Sequence, residues 1–311
     1  MRFSVGMPGL DRYPPGFSPK WAMRMAPTDF QRIARAADDL GYDSVNIPEH
    51  IVMPDDLADG MGAHWPHALT AMAFIAGATT RIAVNSCVIV LPYHNPIVLA
   101  KAAATLDVMS GGRLILTFGV GHAEHEFEVL DLPFHRRGRI TDEYVEAMRV
   151  LWTEDVPSFQ GEFVHFDGVR FEPKPVQQPN PPLWFGGNSD AALRRVARHG
   201  AGWMPWLVTP EELPARMKEL HQLPGYGDNG DVDIWFPPAP IHISEADHSL
   251  TADEPHDRFS SEQEVIDAIG ALRDLGVTWT GIPYPGPDAT SLDEHLDQLA
   301  WGAETVMPRF R

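Results

Sequence analysis

Two consecutive residues, Glu49 and His50, stand at the end of an apolar run in the segment NIPEHIVMP. An imidazole with an ordinary pKa near ~6.5 is suited to accept or donate a proton near neutral pH, and an adjacent carboxylate is the group that would orient it. The plainer alternative is a surface histidine satisfied by Glu49. Further along, Tyr93 and His94 follow one apolar run, and His122, Glu124, His125 and Glu126 follow another. Taken with His50, the spacing of His122 and His125 admits a metal-dependent barrel hydrolase. Zinc sites need three or four placed ligands at roughly 2 Å, and HAEHEF is not the HExxH arrangement, so no metal is assigned. A last cluster, Gly186, Gly187, Asn188 and Ser189, precedes a helical pattern carrying Leu193, Val196 and Ala197. Glycines let backbone N–H groups converge, and a helix N-terminus adds positive potential, which suits a phosphate ester without a lysine. By itself the same Gly-Gly pair is equally a tight turn. Arg194 and Arg195 either assist there or face solvent.

These groups need elements to position them, and strands alternate with helices along the chain. Residues 82–90 are rich in β-branched side chains; Asn95 and Pro96 then supply an N-cap and a first-turn proline for a helix that Gly111 and Gly112 stop. Residues 114–118 form a short apolar run suited to a parallel strand covered on both faces. The polar clusters therefore fall just after strands, where an α/β barrel keeps its chemistry. Strands are also predicted at 3–7, 44–47, 183–185, 202–204, 232–236 and 277–281. Thr28 is placed as the cap of a helix with Phe30, Ile33, Ala34, Ala37 and Leu40 on one face, ended by Gly41. Further helices are expected at 66–78, around Ile140, Tyr144, Ala147, Met148 and Leu151, and at 261–275 and 292–307. Residues 159–171 alternate as an inserted hairpin centred on Asp167 and Gly168. The expected fold is an α/β (β/α)8 TIM barrel with inserted hairpin and loop segments, in a single domain over residues 1–311.

Composition narrows the function. A formal net charge of -19 repels nucleic acid and anionic membranes, and no basic groove compensates. Cys87 is the only cysteine, which excludes an internal disulfide and thiolate clusters and fits a reducing compartment. The chain starts with strand-like RFSVGMP, and no uncharged stretch approaches about 18 apolar residues, so a cytoplasmic protein without a membrane segment is expected. As for Cys87 itself, a small buried hydrophobe is the better account of the thiol. Arg136, Arg137 and Arg139 oppose the macrodipole at a helix start unless they bind carboxylates or an anion.

The segments LPYHNPIVLAKAAATLDVMSGGRLILTFGVG, VLDLPFHRRGRITDEYVEAMRVLW and GEFVHFDGVRFEPKPVQQPNPPLWFGG, followed by ALRRVARHGAGW, together resemble the luciferase-like oxidoreductases. That superfamily of TIM barrels comprises FMN-dependent monooxygenases and deazaflavin (F420) dependent oxidoreductases. The likeness is strong to about Trp206 and weaker beyond, and FHRRG leans toward the F420 branch. It implies F420 as cofactor, with FMN as the alternative, and a hydride moved to or from a small organic substrate. It puts the cofactor phosphate on Gly186, Gly187, Asn188 and Ser189, and His50 beside the ring as acid or base, with Glu49 next to it. A non-proline cis peptide at Cys87–Val88, or in the alternative register Ser86–Cys87, is implied behind the ring. Gly121 and His125 would also approach the cofactor. Several F420 enzymes carry a glutamate acid where His122 stands here, so His122 either takes that role or lines the pocket. A homodimer and a separate F420 or flavin reductase complete what the likeness implies. A non-catalytic flavin-binding relative is disfavoured by the presence of His50 and the Gly186 loop. Trp21, Trp65 and Phe17 suggest an apolar or ring-bearing substrate.

Overall fold

The computed structural model describes residues 1–11, 19–228, 230–239 and 259–311; Phe17 lies outside them. Eleven strands are present: β1 (Arg2–Gly6), β2 (Ser44–Ile47), β3 (Ala83–Ser86), β4 (Ile89–Val90), β5 (Leu114–Gly119), β6 (Phe159–Gln160), β7 (His165–Phe166), β8 (Leu183–Gly186), β9 (Gly202–Met204), β10 (Asp233–Ile234) and β11 (Trp279–Thr280). Eight of them run parallel in the order β10-β9-β8-β5-β3-β2-β1-β11. The ring closes between β10 and β11, where Trp235 bridges Trp279, Thr278 donates to the Ile234 carbonyl at 3.0 Å and Phe236 donates to the Trp279 carbonyl at 3.0 Å. The expected (β/α)8 barrel is thus the observed fold, with β6 and β7 as an antiparallel insertion.

The helices α1 (Pro27–Leu40), α2 (Asp55–Met61), α3 (Ala68–Ala76), α4 (Pro96–Ser110), α5 (Glu124–Val129), α6 (Arg137–Thr153), α7 (Asp190–His199), α8 (Leu213–Gln222), α9 (Glu262–Asp274) and α10 (Leu292–Trp301) account for the rest. Asn95 caps α4 through its side chain and Gly111 ends it in the left-handed region, as the sequence indicates. Other boundaries move for local reasons. α1 starts at Pro27 and not behind a Thr28 cap, because Asp29 turns back to accept the Ala26 N–H at 2.8 Å. The inserted hairpin turns at residues 161–164 and not at Asp167 and Gly168, since the Glu143 carboxylate on α6 accepts the N–H groups of Glu162, Phe163 and Val164. The short helices α2 and α5 have too little apolar periodicity to be read from sequence, whereas α8, absent from the expectations, carries Leu213, Met217 and Leu220 at helical spacing.

The predicted strand at 82–90 is broken. Asn85 faces Ile115 but Ile89 faces Phe118, so four steps on one side meet three on the other, a bulge of one residue at Cys87 and Val88. The Cys87–Val88 peptide is cis. A Cβ on Gly119 would lie 2.6 Å from Val88 Cγ2 and one on Gly186 would lie 3.1 Å from Val88 Cγ1. Glycine at both strand ends therefore makes the space that the bulged valine occupies.

At the opposite end of the barrel, buried Asp38 on α1 receives the N–H groups of Thr80 (2.7 Å), Arg81 (3.0 Å) and Ile82 (2.7 Å), fixing the chain as it enters β3. Burial opposes its ionisation, but these donors outweigh burial and hold the carboxyl below its ordinary value of 3.8. Asp38→Ala leaves three donors without an acceptor and should cost about 3 kcal/mol in urea unfolding. A depressed folded-state pKa adds stability above the ordinary carboxylate range, which is lost as pH falls through the folded value. The stability gap between the native protein and Asp38→Asn should accordingly narrow below about pH 4; a gap that stays constant down to pH 2 contradicts this account.

Candidate active site

The loops after β2, β4, β5 and β8 meet at the C-terminal face of the barrel. His50, two residues beyond Pro48 in the loop after β2, is one-tenth exposed at its side chain, and its Nδ1 lies 2.8 Å from Glu126 Oε2. Glu126 projects inward from α5 and is completely buried. Its Oε2 also accepts the Tyr93 hydroxyl at 3.0 Å, while Oε1 accepts the N–H groups of Ile51 (2.8 Å) and Val52 (3.2 Å). Burial works against the charge, yet the His50 hydrogen bond, the His50 charge and the two N–H groups more than compensate, and the carboxyl is held below its usual range. Burial first, and the Glu126 charge second, push the Tyr93 phenol up, so it stays a donor. The His50 ring packs edge-on against Trp65, 4.7 Å between centroids, and against His122 at 5.9 Å.

Glu49 does not orient His50. Its buried carboxylate turns the other way and meets His94 Nε2 at 2.7 Å. Consecutive residues on an extended segment point to opposite sides, so the neighbour in sequence is not the neighbour in space. Two crossed pairs result, Glu49 with His94 and His50 with Glu126. Glu126 stands in the polar cluster noted after β5 but has no role assigned to it there; the available signal was a charge next to Phe127 on the inward side of a short helix.

The remaining predicted residues separate into groups. His122 faces His50, whereas His125 is on the outer side of α5, exposed, and paired with Asp56 at 2.9 Å. Among the described residues no three His, Cys, Asp or Glu side chains converge as a metal would need, and His125 is turned away from His50. The Ser86 hydroxyl is buried and spent on β5, donating to the Thr117 carbonyl and accepting the Thr117 N–H, both at 2.9 Å. Gly121 has φ 82° and its missing Cβ would strike Phe127 and Val90; its carbonyl accepts Arg137 Nε at 3.1 Å. Arg136 and Arg139 pair with Glu162 of the hairpin, so a carboxylate on this chain satisfies them. Of the aromatic residues, Trp65 lines the His50 site, while the Trp21 indole donates to the Ala289 carbonyl at 2.8 Å and ties two loops together.

The loop after β8 is fixed through its carbonyls. The Gly187 carbonyl accepts the Trp203 indole N–H at 2.8 Å, and the Asn188 carbonyl accepts Arg216 of α8. In a trans peptide the C=O of one residue and the N–H of the next point to opposite sides. The Asn188 N–H is therefore turned away from Trp203 and the Ser189 N–H away from Arg216, just before α7. Gly187 has φ 106°, a conformation that favours glycine, and the Ser189 hydroxyl caps α7 by accepting the Ala192 N–H at 3.2 Å. Arg195 is buried on Asp142 and the Gly138 carbonyl and does not face this loop; Arg194 is exposed. The glycine turn and the α7 N-terminus are features compatible with a phosphate group.

Residues 8–252 match the model of the luciferase-like monooxygenases. The chain belongs to that family. It is an oxidoreductase of the luciferase-like fold. An uncharacterised protein of Mycobacterium bovis is 31% identical over 307 residues, covering 91% of this chain and 97% of its own. Among solved structures, the monooxygenase RslO1 of Streptomyces bottropensis superposes with a TM-score of 0.77 at 21% identity, each chain covered in full. An F420-dependent secondary alcohol dehydrogenase superposes at 0.74 and 19%, again with both chains covered in full. Among the described residues no helix is long and apolar enough to cross a membrane.

In this luciferase-like site Cys87 is no nucleophile. Its Sγ lies 3.3 Å from Met204 Sδ, and burial, helped by the negative charge of Asp11, pushes the thiol up to about 12. Since only the thiolate attacks, alkylation of the native protein at pH 8 should run roughly 1,000-fold slower than that of an exposed thiol, and should match it after unfolding in urea. Rapid labelling of the native protein would contradict the burial-raised pKa.

Proposed function

We propose that this luciferase-like enzyme is an F420-dependent oxidoreductase that moves a hydride between the deazaflavin and a small organic substrate. The observation that carries the reading is His50, nearly covered at the C-terminal face and tied to an ionised carboxylate. A hydride moved to or from a carbon beside a heteroatom requires a proton moved at that heteroatom, and His50 is the group positioned to take or give it. When bound, F420 supplies or accepts the hydride itself. The chain's own part is to hold the phosphate on the Asn188 and Ser189 N–H groups, to back the ring with Val88, and to keep His50 next to the substrate. Trp65 supplies an apolar wall that excludes water and favours an apolar or ring-bearing substrate, and His122 faces the same space. Likeness to the F420-dependent secondary alcohol dehydrogenase and the FHRRG segment support F420 over FMN. We infer a cytoplasmic homodimer supplied by a separate reductase, with no nucleic-acid partner given its charge of -19.

An FMN-dependent monooxygenase is the second reading, favoured by the likeness to the monooxygenase RslO1 and, for FMN, to an FMNH2-dependent dimethylsulfone monooxygenase of Pseudomonas putida, 29% identical over 177 residues that cover 56% of this chain and 47% of that one. Parallel calorimetric titration of the apoprotein separates the two. F420 should bind in the micromolar range or tighter, about 8 kcal/mol or more, and FMN more weakly. Tighter binding of FMN would shift the assignment to the monooxygenase.

The role of His50 has its own test. His50→Gln keeps volume and one hydrogen bond but removes the titrating group. Turnover should fall by roughly two to four orders of magnitude while cofactor affinity changes only a few-fold. Near-normal turnover with an unaltered pH profile would remove His50 from the chemistry and leave His122 to be tested.

A further inference from the structure

Glu126 carries more hydrogen bonds than a loop pin requires. Its two oxygens accept from the Ile51 and Val52 N–H groups and from Tyr93 and His50, and a carboxylate has about four lone-pair sites to offer. Its side chain has no exposed surface. An ionised carboxylate only accepts, so every partner must donate to it. Backbone N–H groups do this without choice, and the Tyr93 hydroxyl simply rotates to do so. His50 is different, because a neutral imidazole has one proton that resides on either nitrogen.

We propose that Glu126 is a positioning residue that fixes the tautomer of His50: the proton is held on Nδ1 and the lone pair is left on Nε2. Neutral His50 then meets the substrate as a proton acceptor, and it donates from Nε2 only as the imidazolium, whose charge Glu126 balances. The assignment rests on the reading of His50 as the proton-transfer group and adds which nitrogen acts and what enforces it. The neighbouring groups are consistent with a single ring orientation. Trp65 and His122 pack edge-on against the ring from the loops after β2 and β5. Glu49, the other carboxylate close in sequence, is occupied by His94. Among the described residues, Glu126 is the carboxylate hydrogen-bonded to Nδ1.

Glu126→Gln distinguishes this role from a mechanical one. The glutamine oxygen can still accept from Ile51 and Val52, so the loop stays tied to α5. Its amide nitrogen then faces Nδ1 and the Tyr93 hydroxyl as a donor. The hydroxyl reverses, and His50 must present a lone pair at Nδ1 and carry its proton on Nε2. A pin would survive this exchange; the tautomer would not. Tyr93→Phe is the complementary variant, since it removes one donor and leaves the carboxylate in place.

The test is 15N NMR of histidine-labelled protein, with the His50 signals assigned by their loss in His50→Gln, together with turnover measurements. The native protein and Tyr93→Phe should show neutral His50 protonated on Nδ1. Glu126→Gln should show it protonated on Nε2, with kcat lowered on the order of 1,000-fold and cofactor affinity within a few-fold of native. Tyr93→Phe should lose less than tenfold in kcat. A native His50 protonated on Nε2 overturns the proposal without any variant. So does an unchanged tautomer in Glu126→Gln, or a changed tautomer with unchanged turnover. The NMR readout needs neither cofactor nor substrate, so a wrong choice of F420 would leave it intact, whereas a wrong tautomer would leave the cofactor titration intact.

Discussion

Burying a charge is costly unless donors surround it, and that constraint organises both ends of this barrel. Asp38 and Asp107 at the N-terminal end and Glu49 and Glu126 at the C-terminal end are all buried carboxylate residues. At the lower end the partners do not titrate near neutral pH. Asp38 takes N–H groups from residues 80–82, and Asp107 takes the backbone and side-chain amides of Gln177. At the upper end the partners are His94, His50 and Tyr93. The same electrostatic problem is thus answered by backbone and amide donors at one end and by two imidazoles and a phenol at the other. The division matches the general pattern of this fold, with stability at the lower face and reaction at the upper one.

A net charge of -19 is at first sight a poor match for an anionic cofactor. Charges spread over a surface are screened beyond about 8 Å at physiological ionic strength, so the local field at the loop decides. On the proposed function that field would come from the N–H groups of Asn188 and Ser189, whose preceding carbonyls are engaged by neighbours. Trp203 reaches Gly187 from β9, and Arg216 reaches Asn188 from α8. Arg216 also lies within 3.5 Å of Asp190 Oδ1, so its charge is partly balanced by the acid in the first turn of α7. The loop is thus prepared by neighbours rather than by a cation aimed at the ligand.

Much of the architecture was legible because it follows from local rules. The Asn95 cap and the Gly41 and Gly111 stops each depend on a few adjacent residues. What stayed hidden depends on distance in sequence. His50 is 76 residues from Glu126, and its neighbour Glu49 finds a partner 45 residues away. Arg195 looked available to the phosphate loop until Asp142, 53 residues earlier, claimed it. Likewise the hairpin turn follows Glu143 on α6 and not the Asp167–Gly168 pair, because three backbone N–H groups held by one carboxylate outweigh a local turn preference.

The glycines show how one residue type meets local and distant demands together. In sequence, Gly119 and Gly186 are strand ends, and Gly186 is also the first of a Gly-Gly pair. In space both make room for Val88, whose side chain the bulge directs between β5 and β8. A side chain at 186 would press on Val88, which backs the site; one at 187 would have to adopt a φ of 106°. The two consecutive glycines therefore answer to different requirements. The first leaves room for Val88, and the second lets the chain take a left-handed turn into α7. One peptide unit at the end of β8 thus answers a packing demand from β4 and β5 on one side and a backbone demand on the other, and neither can be met by a residue with a side chain without strain.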